Sequence, residues 1–207
     1  MRPGGGKAKG SAYERAVAEV LTKAYYPDGD GLFLRILPQP IPKKGEVRGD
    51  LKALKYRTDF PITRYEGQDL SRYLVFDNSW PFEVECKSYK EVKPFFCGLY
   101  AKETALFEWM AQAAEVADIE KRTPLVVFKI FRSEHIAMLR TTDFSRLMDM
   151  FGVCKAKRFR LTMLIEGNET KGMTMLLLKD FLLWIDWGVY KVGGGRYIRS
   201  LIGKEPK

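Results

Sequence analysis

The 207-residue chain has 46% hydrophobic and 13% aromatic residues, enough to bury a sizeable core, which excludes a protein that is disordered throughout. Lys and Arg outnumber Asp and Glu by 35 to 26, and the resulting formal net charge of +9 favours nucleic acid as a partner. No apolar run approaches the ~20 residues that a membrane helix needs, and no hydrophobic signal region follows the first glycines, so we expect a soluble intracellular protein.

The chain opens with a basic, glycine-rich segment and continues with a helix. Residues 1–10 contain three consecutive glycines beside Lys7 and Lys9, which is typical of a flexible basic arm. Apolar residues then recur at helical spacing from Tyr13 to Ala24, and a Pro-Asp-Gly turn follows. This spacing predicts a helix over residues 11–25.

The next hundred residues are predicted to form strands and one long helix. Strand-like segments lie at residues 32–37, 50–54, 73–76 and 82–88, separated by turns rich in Pro, Gly, Asp and Asn. A helix is predicted over residues 102–121, followed by an apolar strand at 124–130 and another strand at 136–140. This order predicts a layered α/β or α+β core, which we expect to occupy residues 11–140.

The pattern is weaker beyond residue 140. It predicts a short helix at residues 144–151, strands at 160–165 and 173–178, and a further helix that ends near residue 187. We therefore expect residues 141–207 to form a C-terminal α+β extension that packs on the core.

Three cysteines and one histidine limit the metal and nucleophile chemistry. Cys86, Cys97 and Cys154 are odd in number and form no Cys-x-x-Cys pair, so neither a disulfide framework nor a structural zinc site is indicated. Ser-His-Asp catalysis would depend on His135 alone, and such a single histidine is more typical of a surface or a strand edge.

The predicted strand at residues 82–88 carries the strongest chemical pattern. Alternation sends Glu85 and Lys87 to one face, where a carboxylate and an ammonium group can hold a hard cation and a water side by side. On its own, such a pair is more commonly a plain cross-strand ion pair. Asp50, at the start of a neighbouring strand-like segment, would complete a metal site, or it would simply cap the turn before it.

The order of these residues resembles a known family. The chain presents a Gly-x-x-x-Glu helix start, a Gly-Asp turn and a strand ending in Glu-x-Lys, formed by Gly10 and Glu14, Gly49 and Asp50, and Glu85 and Lys87. This succession is similar to the archaeal-type Holliday junction resolvases and their phage relatives among the PD-(D/E)xK nucleases. The resemblance covers residues 9–132 and implies a restriction-endonuclease-like α/β core, in which helices flank a central mixed sheet. Gly49 replaces the usual Pro of the family, and residues 55–71 form a longer segment, which leaves the substrate class open.

The resemblance also implies a cofactor and a set of roles. The cofactor would be Mg²⁺, with Mn²⁺ as a substitute, bound by Asp50, Glu85 and the backbone carbonyl of Cys86. Lys87 would orient or activate the attacking water. Gln112, on the second long helix, is similar to a glutamine near the site of phage-type members, but it is equally an ordinary amide at a helix rim.

Glu14 has two interpretations. Ser11-x-x-Glu14 matches a capping box, which would satisfy the amides at a helix start without any chemistry. The resemblance implies instead that this carboxylate binds a metal-bound water or a second cation, and both roles are compatible.

The expected function is hydrolysis of phosphodiester bonds in branched DNA. The resemblance implies a homodimer acting on four-way junctions, in the cytoplasm of a bacterial or archaeal cell or of a phage-infected host. The alternatives are another PD-(D/E)xK nuclease of the repair, restriction or exonuclease type, and a non-catalytic basic DNA-binding protein. Basic residues within 43–57 and 155–160 are expected to meet phosphates. The residues singled out for DNA contact are Lys7, Lys9, Arg15, Lys43, Lys44 and Arg48.

Overall fold

The computed structural model describes residues 5–35, 50–56, 74–89, 105–130, 133–164 and 170–188. Its helices are α1 (Gly5–Tyr25), α2 (Ala105–Glu120), α3 (Thr141–Phe151) and α4 (Leu178–Trp184). Its strands are β1 (Gly31–Arg35), β2 (Leu51–Tyr56), β3 (Leu74–Phe76), β4 (Phe82–Tyr89), β5 (Thr123–Ile130), β6 (Ile136–Arg140), β7 (Arg158–Leu164) and β8 (Thr170–Leu177). Within these residues, no helix is both long and apolar enough to cross a membrane.

All eight described strands belong to one mixed sheet. Seven of them follow the order β1-β2-β4-β5-β6-β8-β7, and β3 pairs with β2. The β4–β5 pair is parallel, whereas the other described pairs are antiparallel. Helix α2 connects β4 to β5, as parallel neighbours require a long crossover. The predicted α/β fold with a mixed sheet and flanking helices is confirmed.

Helices cover the sheet on both faces. On the first face, α1, α3 and α4 pack on a core that includes Phe82, Val84 and Cys86 of β4. On the second face, α2 packs over Val126 and Phe128 of β5. Residues 125–128 are therefore buried on both sides of the sheet, which explains why this part of β5 is an unbroken apolar run.

A glycine allows β1 to approach β2 closely. A Cβ on Gly31 would lie 2.5 Å from the carbonyl oxygen of Leu54 and 2.6 Å from the ring of Tyr26. Any side chain here would push β1 away from β2. At the other end of these strands, Arg35 pairs with Leu51.

Two expectations about the first helix were wrong. Helix α1 begins at Gly5, so residues 5–10 extend the helix rather than belonging to a flexible arm. Ser11 consequently lies inside α1 and cannot be its N-cap, which removes the capping-box interpretation of Glu14. No helix breaker lies between Lys7 and Lys9. Gly10 lowers the stability of the helix by only about 1 kcal/mol relative to Ala, and the packing of the later turns of α1 on the core compensates for this.

Most other predicted elements are confirmed, with shifted ends. Helix α3 begins three residues earlier than predicted, and β7 and β8 each begin two to three residues earlier. Strand β8 pairs with β6, and β7 pairs with β8, so the C-terminal strands extend the core sheet itself. The division of the chain at residue 140 stays a prediction.

Candidate active site

Two hydrogen bonds, one from its backbone and one to its side chain, connect Asp50 to the backbone of β4. Its amide N–H donates to the carbonyl oxygen of Val84 at 3.0 Å, and its Oδ2 accepts a hydrogen bond from the N–H of Cys86 at 2.6 Å. The pairing of Leu51 with Val84 continues this contact into the sheet. Asp50 therefore lies directly across from Glu85 on the neighbouring strand, as a metal site requires.

Glu85 and Lys87 project to the same face and contact each other. The Lys87 Nζ lies 2.6 Å from Glu85 Oε1, and it also donates a hydrogen bond to Gln112 Oε1 of α2 at 2.9 Å. The side chains of Glu85 and Lys87 are 16% and 22% exposed, so the ammonium group is held within reach of solvent. Gln112 thus fixes the position of the lysine from the opposite side.

Glu14 reaches the site from α1. Its Oε2 accepts a hydrogen bond from Nε of Arg35, the last residue of β1, and both side chains are largely buried. Arg35 pairs with Leu51, which places it beside Asp50. The sequence prediction missed Arg35, because its position depends on the register between β1 and β2. The one signal available was a basic residue within the strand predicted at residues 32–37.

The carboxylates of the site repel one another electrostatically. Burial, followed by the negative charges of Glu85 and Glu14, raises the pKa of Asp50 to about 7, against the hydrogen bond from Cys86 and the charge of Lys87. The three carboxylates are therefore close enough to interact, and when ionised their combined charge exceeds that of Lys87 and Arg35 together. This shortage of positive charge suits a divalent cation.

The ligands available also suit a hard cation. Among the described residues, no three His, Cys, Asp or Glu side chains are grouped closely enough to enclose a metal by themselves. Mg²⁺ commonly takes only one or two protein carboxylates and completes its shell with water and substrate phosphate. Asp50 and Glu85 fit that requirement. Burial raises the pKa of the Cys86 thiol well above its usual value, so this group stays protonated and only its backbone is suited to the site.

The structure places only some of the predicted DNA contacts. Arg15 is exposed on α1, one residue after Glu14, and Lys7 and Lys9 lie in the first turns of the same helix. The positions of Lys43, Lys44 and Arg48 fall outside the described residues, as does Cys97.

One member of the basic region at residues 43–57 has a different role. The Lys52 Nζ donates to both carboxylate oxygens of Glu83, at 3.0 and 3.1 Å, and Arg122 approaches the same carboxylate at 3.6 Å. Glu83 is buried, and Lys52 and Arg122 are 13% and 12% exposed. The expectation that Lys52 meets DNA phosphate is therefore wrong, because burial of Glu83 requires a cationic partner.

The sheet and the site together define a class of protein. A mixed sheet flanked by helices, with Glu-x-Lys on a central strand and an aspartate on the strand beside it, is the arrangement of the PD-(D/E)xK nucleases. The model of a family described as "Phage putative PDDEXK endonuclease" matches residues 64–186, more than half of the chain. The chain belongs to this family. No curated protein and no solved structure compared with the chain matches it.

The family match covers part of the candidate site. Glu85, Lys87 and Gln112 lie within residues 64–186, whereas Glu14, Arg35 and Asp50 precede them. The matched range therefore contains the first group and not the second, and the roles of all six residues stay predictions that rest on geometry. Nucleases of this superfamily generally use divalent metal ions, in agreement with the charges of the site.

Proposed function

We propose that the protein is a Mg²⁺-dependent endonuclease that cuts branched DNA, with the four-way junction as its substrate and Mn²⁺ as a substitute metal. One observation carries the proposal. Five side chains singled out in the sequence, spread over about a hundred residues, converge around one end of β4. They are Glu14, Asp50, Glu85, Lys87 and Gln112.

Each of these groups has a chemical role in phosphodiester hydrolysis. Asp50, Glu85 and the Cys86 carbonyl would hold the metal, which when bound polarises the scissile phosphate and lowers the pKa of the attacking water. Lys87 is held by Glu85 and Gln112 with its ammonium group at the site, where its charge offsets charge that develops on the phosphate. Glu14, oriented by Arg35, supplies a further oxygen beside Asp50.

The preference for branched DNA is supported by the order of the motifs. A Gly-x-x-x-Glu helix start, an acidic turn and a Glu-x-Lys strand resemble junction resolvases. A homodimer would match such a substrate, because two symmetric sites can meet two symmetric strands. The family description, however, specifies an endonuclease without naming a junction, which favours a general DNA endonuclease as the second candidate.

One cleavage experiment separates these functions. A synthetic four-way junction, its component duplex, a flap and a single strand are incubated with the protein, with and without Mg²⁺ or Mn²⁺. We expect paired, metal-dependent cuts in the junction and little cutting of the duplex. Equal cutting of duplex and junction would contradict the resolvase assignment, and intact DNA under all conditions would contradict the nuclease assignment.

Substitutions then test the site. Glu85→Gln and Lys87→Ala should each reduce the cleavage rate at least 100-fold while leaving junction affinity nearly unchanged, because they remove metal binding or nucleophile positioning and spare the basic surface. Arg146→Ala, which alters an exposed residue of α3, is a control for charge loss. If Glu85→Gln or Lys87→Ala cleaves DNA at the wild-type rate, and circular dichroism shows an intact fold, the assignment of the active site is refuted.

A further inference from the structure

A buried group of charged side chains lies on β4, two residues before Glu85. Glu83 contacts Lys52 of β2 through both of its carboxylate oxygens, and Arg122 approaches the same carboxylate from the turn before β5. Residues two apart on a strand point to the same face, so Glu83 and Glu85 share the face that α2 covers. We call Lys52, Glu83 and Arg122 the Glu83 cluster.

The Glu83 cluster lies where the pairing between β2 and β4 is short. Among the described residues, β2 pairs with β4 at one registered pair, Leu51 with Val84, whereas it pairs with β1 along the full length of β1. In the same antiparallel register, Lys52 lies across from Glu83, directly beside this pair. The ion pair therefore extends the attachment of β2 to β4 beyond a single registered pair.

The register of β2 against β4 determines the distance between Asp50 and Glu85. Bonds of about 2.0–2.1 Å from Mg²⁺ to oxygen keep two oxygens that share the ion within roughly 4 Å of each other. A slip of two residues would move β2 by about 7 Å along β4, and a slip of one residue would turn its side chains to the other face. A metal site shared by the two carboxylates thus requires the observed register.

Stability alone does not account for the Glu83 cluster. Removing a carboxylate and its cation from water costs about as much as their attraction returns, and apolar residues of similar size often replace such a pair without loss of stability. The best-attested use of buried ionic groups is to specify register, because a charge left without its partner is strongly unfavourable. Lys52 meets Glu83 in the register that places Asp50 across from Glu85.

From these contacts we propose that the Glu83 cluster positions the two metal-binding carboxylates of the site, by tying β2 to β4 and to the turn before β5. The inference rests on the proposed function. Lys52 and Arg122 are largely buried and contact Glu83, so they act through the strands and not by touching DNA. Arg122 extends the attachment to β5, because the next residue, Thr123, donates its N–H to the carbonyl oxygen of Pro81.

Metal binding in the absence of DNA tests the proposal. The double variant Lys52→Met/Glu83→Gln removes the ion pair but keeps the size of both side chains and an oxygen for Arg122, so we expect little change in Tm. Its Kd for Mn²⁺, measured by isothermal titration calorimetry, should rise about 10–100-fold, the usual effect of losing a group that orients a metal ligand. The matched control, Lys23→Met/Glu19→Gln, removes an exposed ion pair of α1 and should bind Mn²⁺ like the wild type.

Two single variants separate the ion pair from other effects of the double substitution. Lys52→Arg keeps a cation that can donate to both oxygens of Glu83, so its Kd for Mn²⁺ should stay close to that of the wild type. Glu83→Gln keeps the shape of the side chain and one acceptor oxygen, and should raise the Kd several-fold because Lys52 is held less strongly. This milder change also tests the proposal if the double variant does not fold.

Hydrogen exchange in the metal-free protein gives a local measurement that does not depend on the cation. The N–H groups of Asp50 and Cys86 form the hydrogen bonds between Asp50 and β4. In the double variant both should exchange at least about tenfold faster, because the start of β2 opens locally, while the amides of β5 keep their wild-type rates.

Two results would overturn the proposal. The first is a wild-type Kd for Mn²⁺ in the variants that lack the ion pair. The second is faster exchange at all amides together with a lower Tm, which would leave the Glu83 cluster with a structural role alone. If the wild type neither binds Mn²⁺ nor cleaves DNA, the proposed function fails instead, and the exchange rates still decide whether the cluster holds Asp50 on β4.

Discussion

Asp50 is held away from water beside two further carboxylates, so its ionised form is unfavourable in the folded protein. Its pKa of about 7 lies above the ordinary value of 3.8. The neutral form therefore stabilises the fold, fully below pH 4, and this contribution is lost as the pH rises through 7. In the metal-free protein, Asp50 therefore lowers the free energy of unfolding above pH 7. At the same pH its carboxylate is ionised and would bind a cation best.

This conflict predicts a stabilised but inactive variant. Asn cannot ionise, yet it keeps an oxygen that accepts the Cys86 N–H, so metal-free Asp50→Asn should be more stable than the wild type at pH 8 by about 1–2 kcal/mol, or about 2–8 °C in Tm. The difference should shrink toward pH 4. Thermal melts in chelator at pH 5 and pH 8 measure it. If the wild type melts at a higher temperature than Asp50→Asn at pH 8, the ionised Asp50 side chain does not destabilise the fold.

A capping role for Glu14 is excluded, because α1 begins well before Ser11. Its ion pair with Arg35 and its effect on Asp50 remain. Glu14→Gln keeps a side-chain oxygen for Arg35 and removes one negative charge near Asp50. We expect cleavage to fall at least tenfold while Tm is unchanged or slightly higher. Full activity would leave Glu14 with only its ion pair to Arg35, and a drop in Tm matching the loss of activity would indicate a structural role.

Strand β5 determines how firmly the site is supported, since it pairs with β4 along its whole length. Leu125 is fully buried, whereas Leu183 of α4 is 84% exposed. Leu125→Ala should lower the free energy of unfolding by about 2–5 kcal/mol, while Leu183→Ala should change it by no more than about 0.5 kcal/mol. Urea unfolding followed by tryptophan fluorescence compares the two, and equal effects would contradict the two-sided burial of β5.

Local patterns in the sequence predicted most helices and strands, whereas contacts between distant parts of the chain were missed. The alternation in β4 was sufficient to place Glu85 and Lys87 on one face, because that pattern is local, whereas Gln112 was singled out by the family resemblance. Arg35 and the Lys52–Glu83 pair were missed, since both depend on which strands become neighbours and in what register. The start of α1 was misplaced because glycines suggested an arm where packing sustains a helix.

At the scale of the whole molecule, metal binding and folding should be linked. A cation that binds Asp50 and Glu85 in the folded state alone stabilises the protein, by about 2.7 kcal/mol at 100 times its Kd. Added Mg²⁺ or Mn²⁺ should therefore raise Tm of the wild type by about 5–10 °C, and it should leave Asp50→Asn and Glu85→Gln nearly unchanged. An equal shift in all three proteins would assign the metal to another site.

The convergence of distant residues on β4 also bears on when the protein becomes able to cut. Glu14 and Gln112 are separated by nearly a hundred residues, and β4 needs β5, which follows α2, to complete its pairing. Contacts between residues so far apart in the chain form late in folding, because long loops must close first. During synthesis, α1 and its basic residues emerge well before the residues that complete the site. A nascent chain should thus acquire affinity for DNA before it acquires the capacity to break it.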